Sequence, residues 1–165
     1  MKLSLTSQYE RVASAPVGDQ TGVPIVFRAG AHRETFMRAS SLSFLTAVAF
    51  GLVGMAWGIQ MAASGDHSAM PAHAHLNLLG WVSLFLFGIF YHLHPAIDRS
   101  MLAIVQVGLW AASTVMLSIG VGLLTTGHPI GEPIAAVSSL FVVAAMLLFG
   151  WNVLRRDAGV AVAVE

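Results

Sequence analysis

The 165-residue chain has no cysteine. Disulfides, thiolate metal centres, iron–sulfur clusters and covalent c-type haem attachment are therefore excluded. Charge is scarce too. Asp, Glu, Lys and Arg make up 10% of the chain, against about 25% in soluble domains, which is too little to cover a wetted surface. Eight basic residues balance eight acidic ones, leaving a net charge of zero and no basic surplus for nucleic acid. The first stretch does not read as a secretory signal. Residues 1–38 carry Lys2, Glu10, Arg11, Asp19, Arg28, Arg33, Glu34 and Arg38 with no sustained apolar run.

What the chain does have is long uncharged stretches. Arg38 and Asp66 are separated by 27 residues, Asp66 and Asp98 by 31, Arg99 and Glu132 by 32, and Glu132 and Arg155 by 22. Each stretch holds the roughly 20 apolar residues a spanning helix needs. The expected fold is all-α: an integral membrane four-helix bundle with spans at 40–63, 72–93, 102–125 and 133–154, within a domain at 39–156. Turn signals separate the spans at Ser64-Gly65-Asp66, His94-Pro95 and Gly127-His128-Pro129, and Pro133 suits a first helical turn. Residues 1–38 read as a polar extension that includes His32, and residues 157–165 as a short tail.

Basic residues set the expected orientation. Five precede the first span, Arg99 lies between the second and third, and Arg155 and Arg156 follow the fourth. Four crossings put all eight on one side, which the positive-inside rule makes cytoplasmic. Both termini are then cytoplasmic, and the protein is a multi-pass component of the cell inner membrane. The loops near Asp66 and Glu132 face outward, to the periplasm in a bacterium. Gly51, Gly54 and Gly58 in the first span, and Ala111, Ala112, Ser113, Ser118, Gly120 and Gly122 in the third, allow close helix approach. The Gly54-x-x-x-Gly58 pair is a candidate seam for a homo-oligomer or a larger membrane complex. Glycine is nevertheless common in membrane helices generally.

Four of the seven histidines belong to the second span or its end: His73, His75, His92 and His94. Ionisable groups at membrane depth are costly and are functional candidates for that reason. At about 100° per residue, His73 and His75 point about 160° apart. The His73 face continues through Asn77, Gly80, Leu84, Gly88 and Tyr91. It is polar at its outer end, and its two glycines leave room for a flat cofactor or a close helix. The His75 face continues through Leu79, Val82, Leu86 and Phe90 and is uniformly apolar. His128 lies in the other outer loop, on the same side as His67, His73 and His75. His92 and His94 lie about 25 Å away along the helix, so one site uses the outer cluster or the inner pair, not both.

Two chemistries fit the outer cluster. One is haem b between two histidines: His73 with His128 in one chain, or His73 or His75 with its counterpart in a dimer. Gly80 and Trp81, with Phe85 and Trp110, would admit or border the ring. The other is a copper or zinc site from His67, Met70, His73, His75 and His128, since imidazole suits both metals and thioether favours copper(I). Against both stands a plainer possibility, that histidines near headgroups are simply wetted.

The run HAHLNLLGWVSLFLFG, His73 to Gly88, resembles the second helix of the catalytic subunit in the haem–copper oxidase superfamily, the nitric oxide reductase branch included. It is also similar to small four-helix membrane proteins related to that subunit. In the superfamily an outer-end histidine of this helix ligates the low-spin haem, and in some members an asparagine follows four residues later, as Asn77 follows His73. The resemblance implies His73 as axial ligand, with His75 as the alternative. A full catalytic subunit has about twelve helices and a histidine cluster on other helices. Here the first and third spans contain no histidine. The resemblance therefore implies a haem-binding unit for electron transfer or for redox or gas sensing, not a self-sufficient enzyme. Two readings stand beside it: a copper- or zinc-binding assembly factor, and a cofactor-free structural subunit of a respiratory or photosynthetic complex.

Overall fold

The computed structural model describes residues 38–155. The expected polar extension up to residue 37, His32 with it, and the tail from residue 156 lie outside the described residues. Among the described residues there is no strand, and four helices are long and apolar enough to cross a membrane. They are α1 (Ala39–Ser64), α2 (Met70–Leu93), α4 (Met101–Thr125) and α5 (Gly131–Arg155), with a single turn, α3 (Pro95–Asp98), between α2 and α4. The chain is a multi-pass membrane protein of the four-helix class.

Local chemistry explains the helix ends. Arg38 precedes α1 without capping it. The carboxylate of buried Asp98, from α3, does so instead, its Oδ1 accepting the Ser40 N–H at 2.7 Å. A negative group among the free N–H groups of a helix start also opposes the helix dipole favourably. Ser100 caps α4 through its own hydroxyl, which accepts from the Ala103 N–H. Pro71 occupies the first turn of α2, where a missing N–H costs nothing. Gly65 and Gly127 end α1 and α4 at φ of 70° and 87°, a left-handed turn that favours glycine. α5 starts two residues before Pro133, at Gly131, with Glu132 in its first turn.

Neighbouring helices run antiparallel, and small residues set how close they come. Along α1, Gly58, Gly54 and Gly51 face His73, Asn77 and Trp81 of α2 in that order. A Cβ at Gly58 would lie 3.2 Å from the His73 ring, and one at Gly51 would lie 3.2 Å from the Trp81 ring. The Gly54/Gly58 pair, a candidate seam between chains, is thus filled by α2 of the same chain. α4 and α5 are just as close at their outer turns. A Cβ at Gly131 would run into the Gly120 carbonyl, and one at Gly120 into the Ala135 backbone. α5 is the least buried of the four helices.

The apolar core sits toward the Asp98 end, built from Leu84, Phe87, Tyr91, Val107 and Trp110 with Phe149 against them. The Phe87 ring meets Trp110 edge-on at 4.9 Å and Phe149 at 4.3 Å. Inside this core a polar knot ties three helices. The Tyr91 hydroxyl donates to Gln106 Oε1 at 2.9 Å and accepts from Asn152 Nδ2 at 3.1 Å, while Gln106 Nε2 donates to the Ala145 carbonyl at 3.4 Å. All three side chains are buried. Removing the hydroxyl would leave Gln106 Oε1 and Asn152 Nδ2 without this partner inside the core. Tyr91→Phe is expected to destabilise the detergent-solubilised protein by about 1–2 kcal/mol. Thermal unfolding measures this, with exposed Trp151→Phe as the neutral reference.

Candidate functional site

The histidines at the Met70 end of α2 are positioned by an irregularity in that helix. After a regular first turn and a half, Met70–His75, the helix widens to i→i+5 bonding over Leu76–Ser83 and then returns to α-geometry at Leu84. Such π-segments are rare and frequently mark functional sites. Side chains around this one take up its carbonyls. Trp110 Nε1 donates to the Leu79 carbonyl at 2.9 Å and Ser83 Oγ to that of Leu78 at 2.9 Å. Ser43 Oγ, from α1, donates to the Leu84 carbonyl at 2.7 Å.

Widening also changes which residues share a face. A constant 100° step puts His73, Asn77, Gly80 and Gly88 on one stripe beside an open slot. In the structure His73, Asn77 and Trp81 all meet α1, and so do Gly80 and Gly88. The space over the two glycines is taken: Phe50 covers Gly80, and Phe44 covers Gly88 at 2.7 Å from where a Cβ would be. No slot for a flat ring lies on this face.

His73 is correspondingly enclosed. It is half-buried on Gly58, with the Trp57 ring edge-on at 6.4 Å. Asn77 Nδ2 lies 3.3 Å from His73 Nδ1 and donates to the His73 carbonyl at 2.8 Å. The same amide lies 3.4 Å from His73 Nε2, so one polar group sits beside both ring nitrogens. His75 differs. Its Nδ1 donates to the Pro71 carbonyl at 2.7 Å, which fixes the ring and leaves Nε2 as the nitrogen with a free lone pair. Metal-bound histidines are typically oriented this way. His75 is half-buried at the head of the open face of α2, which continues through exposed Leu78, Val82, Leu86, Ile89 and Leu93.

The remaining candidates do not join these two. His128 is exposed beside the Thr126 hydroxyl, 3.3 Å from its Nδ1, in the loop between α4 and α5. His67 is exposed and bonds the Gly65 carbonyl. Asp66 next to it is held below the usual carboxylate range, chiefly by the Ser68 backbone N–H. Among the described residues no three His, Asp or Glu side chains gather as a metal site. At the other end, His94 Nδ1 bonds the Phe90 carbonyl at 2.7 Å and its ring stacks on Phe90 at 4.4 Å, while His92 is exposed. A groove of about 520 Å³ between α4 and α5, lined by Leu109, Met116, Ile134 and Phe141 among others, holds none of the histidines.

Sequence reasoning missed the widened segment, since no proline or other break announces it. It also passed over Trp110 as an anchor and Thr114 as a buried polar group. The spacing of Gln106, Trp110, Thr114 and Ser118, one every four residues, is the signal that could have found them.

The Leu79 carbonyl depends on Trp110. Trp110→Phe keeps a ring in place and removes the donor, and it is expected to cost about 1–2 kcal/mol. Trp81→Phe, at a half-exposed ring with no hydrogen bond to lose, is expected to cost less; melting temperatures of the two variants check the order. No family model matches this chain, and neither does any curated protein or solved structure.

Proposed function

We propose that the chain is a haem-binding membrane subunit serving electron transfer or redox and gas sensing, in which His75 would hold a b-type haem. One observation carries the choice of residue: the His75 ring is oriented by the Pro71 carbonyl through Nδ1, with Nε2 left free. His73, the residue favoured by resemblance to the oxidase helix, is instead enclosed by Gly58, Trp57 and Asn77. The doubled histidine of His73-Ala74-His75 thus divides its work: His73 braces α1 against α2 and His75 serves the cofactor.

The open face of α2 below His75 supplies what a haem needs besides a ligand, an apolar surface of Leu78, Val82 and Leu86. His75 is half-buried at the head of an otherwise open face of α2, and the second imidazole comes from His75 of a second copy. A bound haem would supply one-electron chemistry. The protein's part is to hold Nε2 in place and to keep water from the ring. The positive-inside rule, applied to the one-sided basic residues, supports a place for this site at the outer face of an inner membrane.

Haem content of the purified protein, quantified as the pyridine haemochrome, tests the reading. The wild-type protein is expected to carry b-type haem at one per two chains. His75→Ala is expected to lose it, while His73→Ala keeps haem and loses thermal stability. Haem retained in His75→Ala and lost in His73→Ala would return the ligand to His73. A wild-type protein colourless after expression with ample haem would end the haem reading.

A further inference from the structure

Gln106, Trp110, Thr114 and Ser118 form one stripe along α4, and all four are buried. The first two have partners: Gln106 holds Tyr91, and Trp110 holds the Leu79 carbonyl. The other two do not. Thr114 Oγ1 and Ser118 Oγ find no hydrogen-bond partner among the described residues, although Thr114 is 0% and Ser118 4% exposed. A serine or threonine in a membrane helix ordinarily bonds back to a carbonyl three or four residues earlier. Ser113, Thr125, Thr126 and Ser138 of this chain all do so. Among the described residues, Thr114 and Ser118 hold the buried side-chain polar atoms left without a partner, and they lie one turn apart.

Their place in the bundle is fixed from both sides. One turn before them Trp110 meets α2 at Leu79, and one turn after them Gly122 meets α2 at Ala72, where a Cβ would lie 3.4 Å from the alanine methyl. Thr114 and Ser118 therefore face the stretch of α2 between Ala72 and Leu79, where the regular helix gives way to the widened segment at Leu76. Two unpaired hydroxyls turned toward a helix whose backbone ladder is changing step form a polar spot in an otherwise apolar seam. Leaving both dry would cost the fold at each, and a buried water characteristically binds where two to four such groups converge.

We propose that Thr114 and Ser118 hold an internal water between α4 and α2, at the start of the widened segment. The water donates to one hydroxyl, accepts from the other, and has a further hydrogen to offer to the backbone of α2. It gives α2 a partner at the point where its own ladder changes register. The site is independent of the haem reading, for it uses neither histidine.

Two measurements on the full-length protein in lipid nanodiscs test it. Thr114→Val and Ser118→Ala remove the hydroxyls with little change of shape, and Thr114→Ser keeps one. If the hydroxyls hold water, Thr114→Val and Ser118→Ala each lower the melting temperature by about 2–4 °C, while Thr114→Ser leaves it nearly unchanged. The infrared spectrum of the wild-type protein then has a water O–H stretching band that shifts in heavy-oxygen water and is absent from the double variant. A melting temperature raised or unchanged in both hydroxyl-free variants would mean dry, strained hydroxyls and would overturn the proposal. So would a wild-type spectrum without the isotope-sensitive band, a result that stands even if a variant fails to fold.

Discussion

A helix in hydrocarbon must pair each of its backbone carbonyls inside the protein, and α2 departs from the regular ladder for eight residues. Over that stretch the backbone bonds i→i+5, and side chains reach carbonyls within it and just after it. Trp110 from α4 takes Leu79, Ser43 from α1 takes Leu84, and Ser83 takes Leu78 from within the helix. These bonds fix α2 against both of its neighbours. The positions of the outer-end histidines follow from this, because they lie on the last regular turns before the widening.

Close packing on one side of α2 then determines what each histidine can do. The small residues of α1 bring that helix near enough for His73, Asn77 and Trp81 to fill the seam, and Phe50 and Phe44 fill the places where α2 is small. Interlocking of this kind replaces the hydrophobic effect, which has little force between helices already in lipid. His73 becomes part of the seam. His75 is half-buried, bonds the Pro71 carbonyl through Nδ1 and heads the open stripe of Leu78, Val82 and Leu86. The same logic operates at the other end. There Asp98 caps α1 from α3, and the Tyr91–Gln106–Asn152 knot holds α5, the helix with the least buried surface, to α2 and α4.

Uncharged runs and turn residues made the four helices and their approximate ends legible in the sequence, because bilayer thickness sets a length that composition alone can meet. Finer placement was harder to read. A face projected at constant angular steps assumes an unbroken α-helix, and Leu76–Ser83 breaks that assumption without proline or any other marker. Gly80 and Gly88 therefore read as an opening when they are landing places for Phe50 and Phe44. The Gly54/Gly58 pair showed that a close approach exists but not with which helix, since a glycine pattern has no address. Of the residues read as a site, His73 and Asn77 do lie together, and His128 stands apart on its loop. What separates His73 from His75 is the packing of His73 on Gly58 and Trp57 and the bond of His75 to the Pro71 carbonyl, and neighbouring identical residues give no hint of either in sequence.

The proposed haem site would take one histidine with a free Nε2 from each of two chains. The electron paramagnetic resonance spectrum of the frozen, oxidised protein is its sharpest check. A low-spin ferric signal of the kind two imidazole ligands give, unchanged in form when His128 or His73 is replaced, is expected. A high-spin signal, or a low-spin signal that vanishes with His128 while His75 is intact, would contradict it.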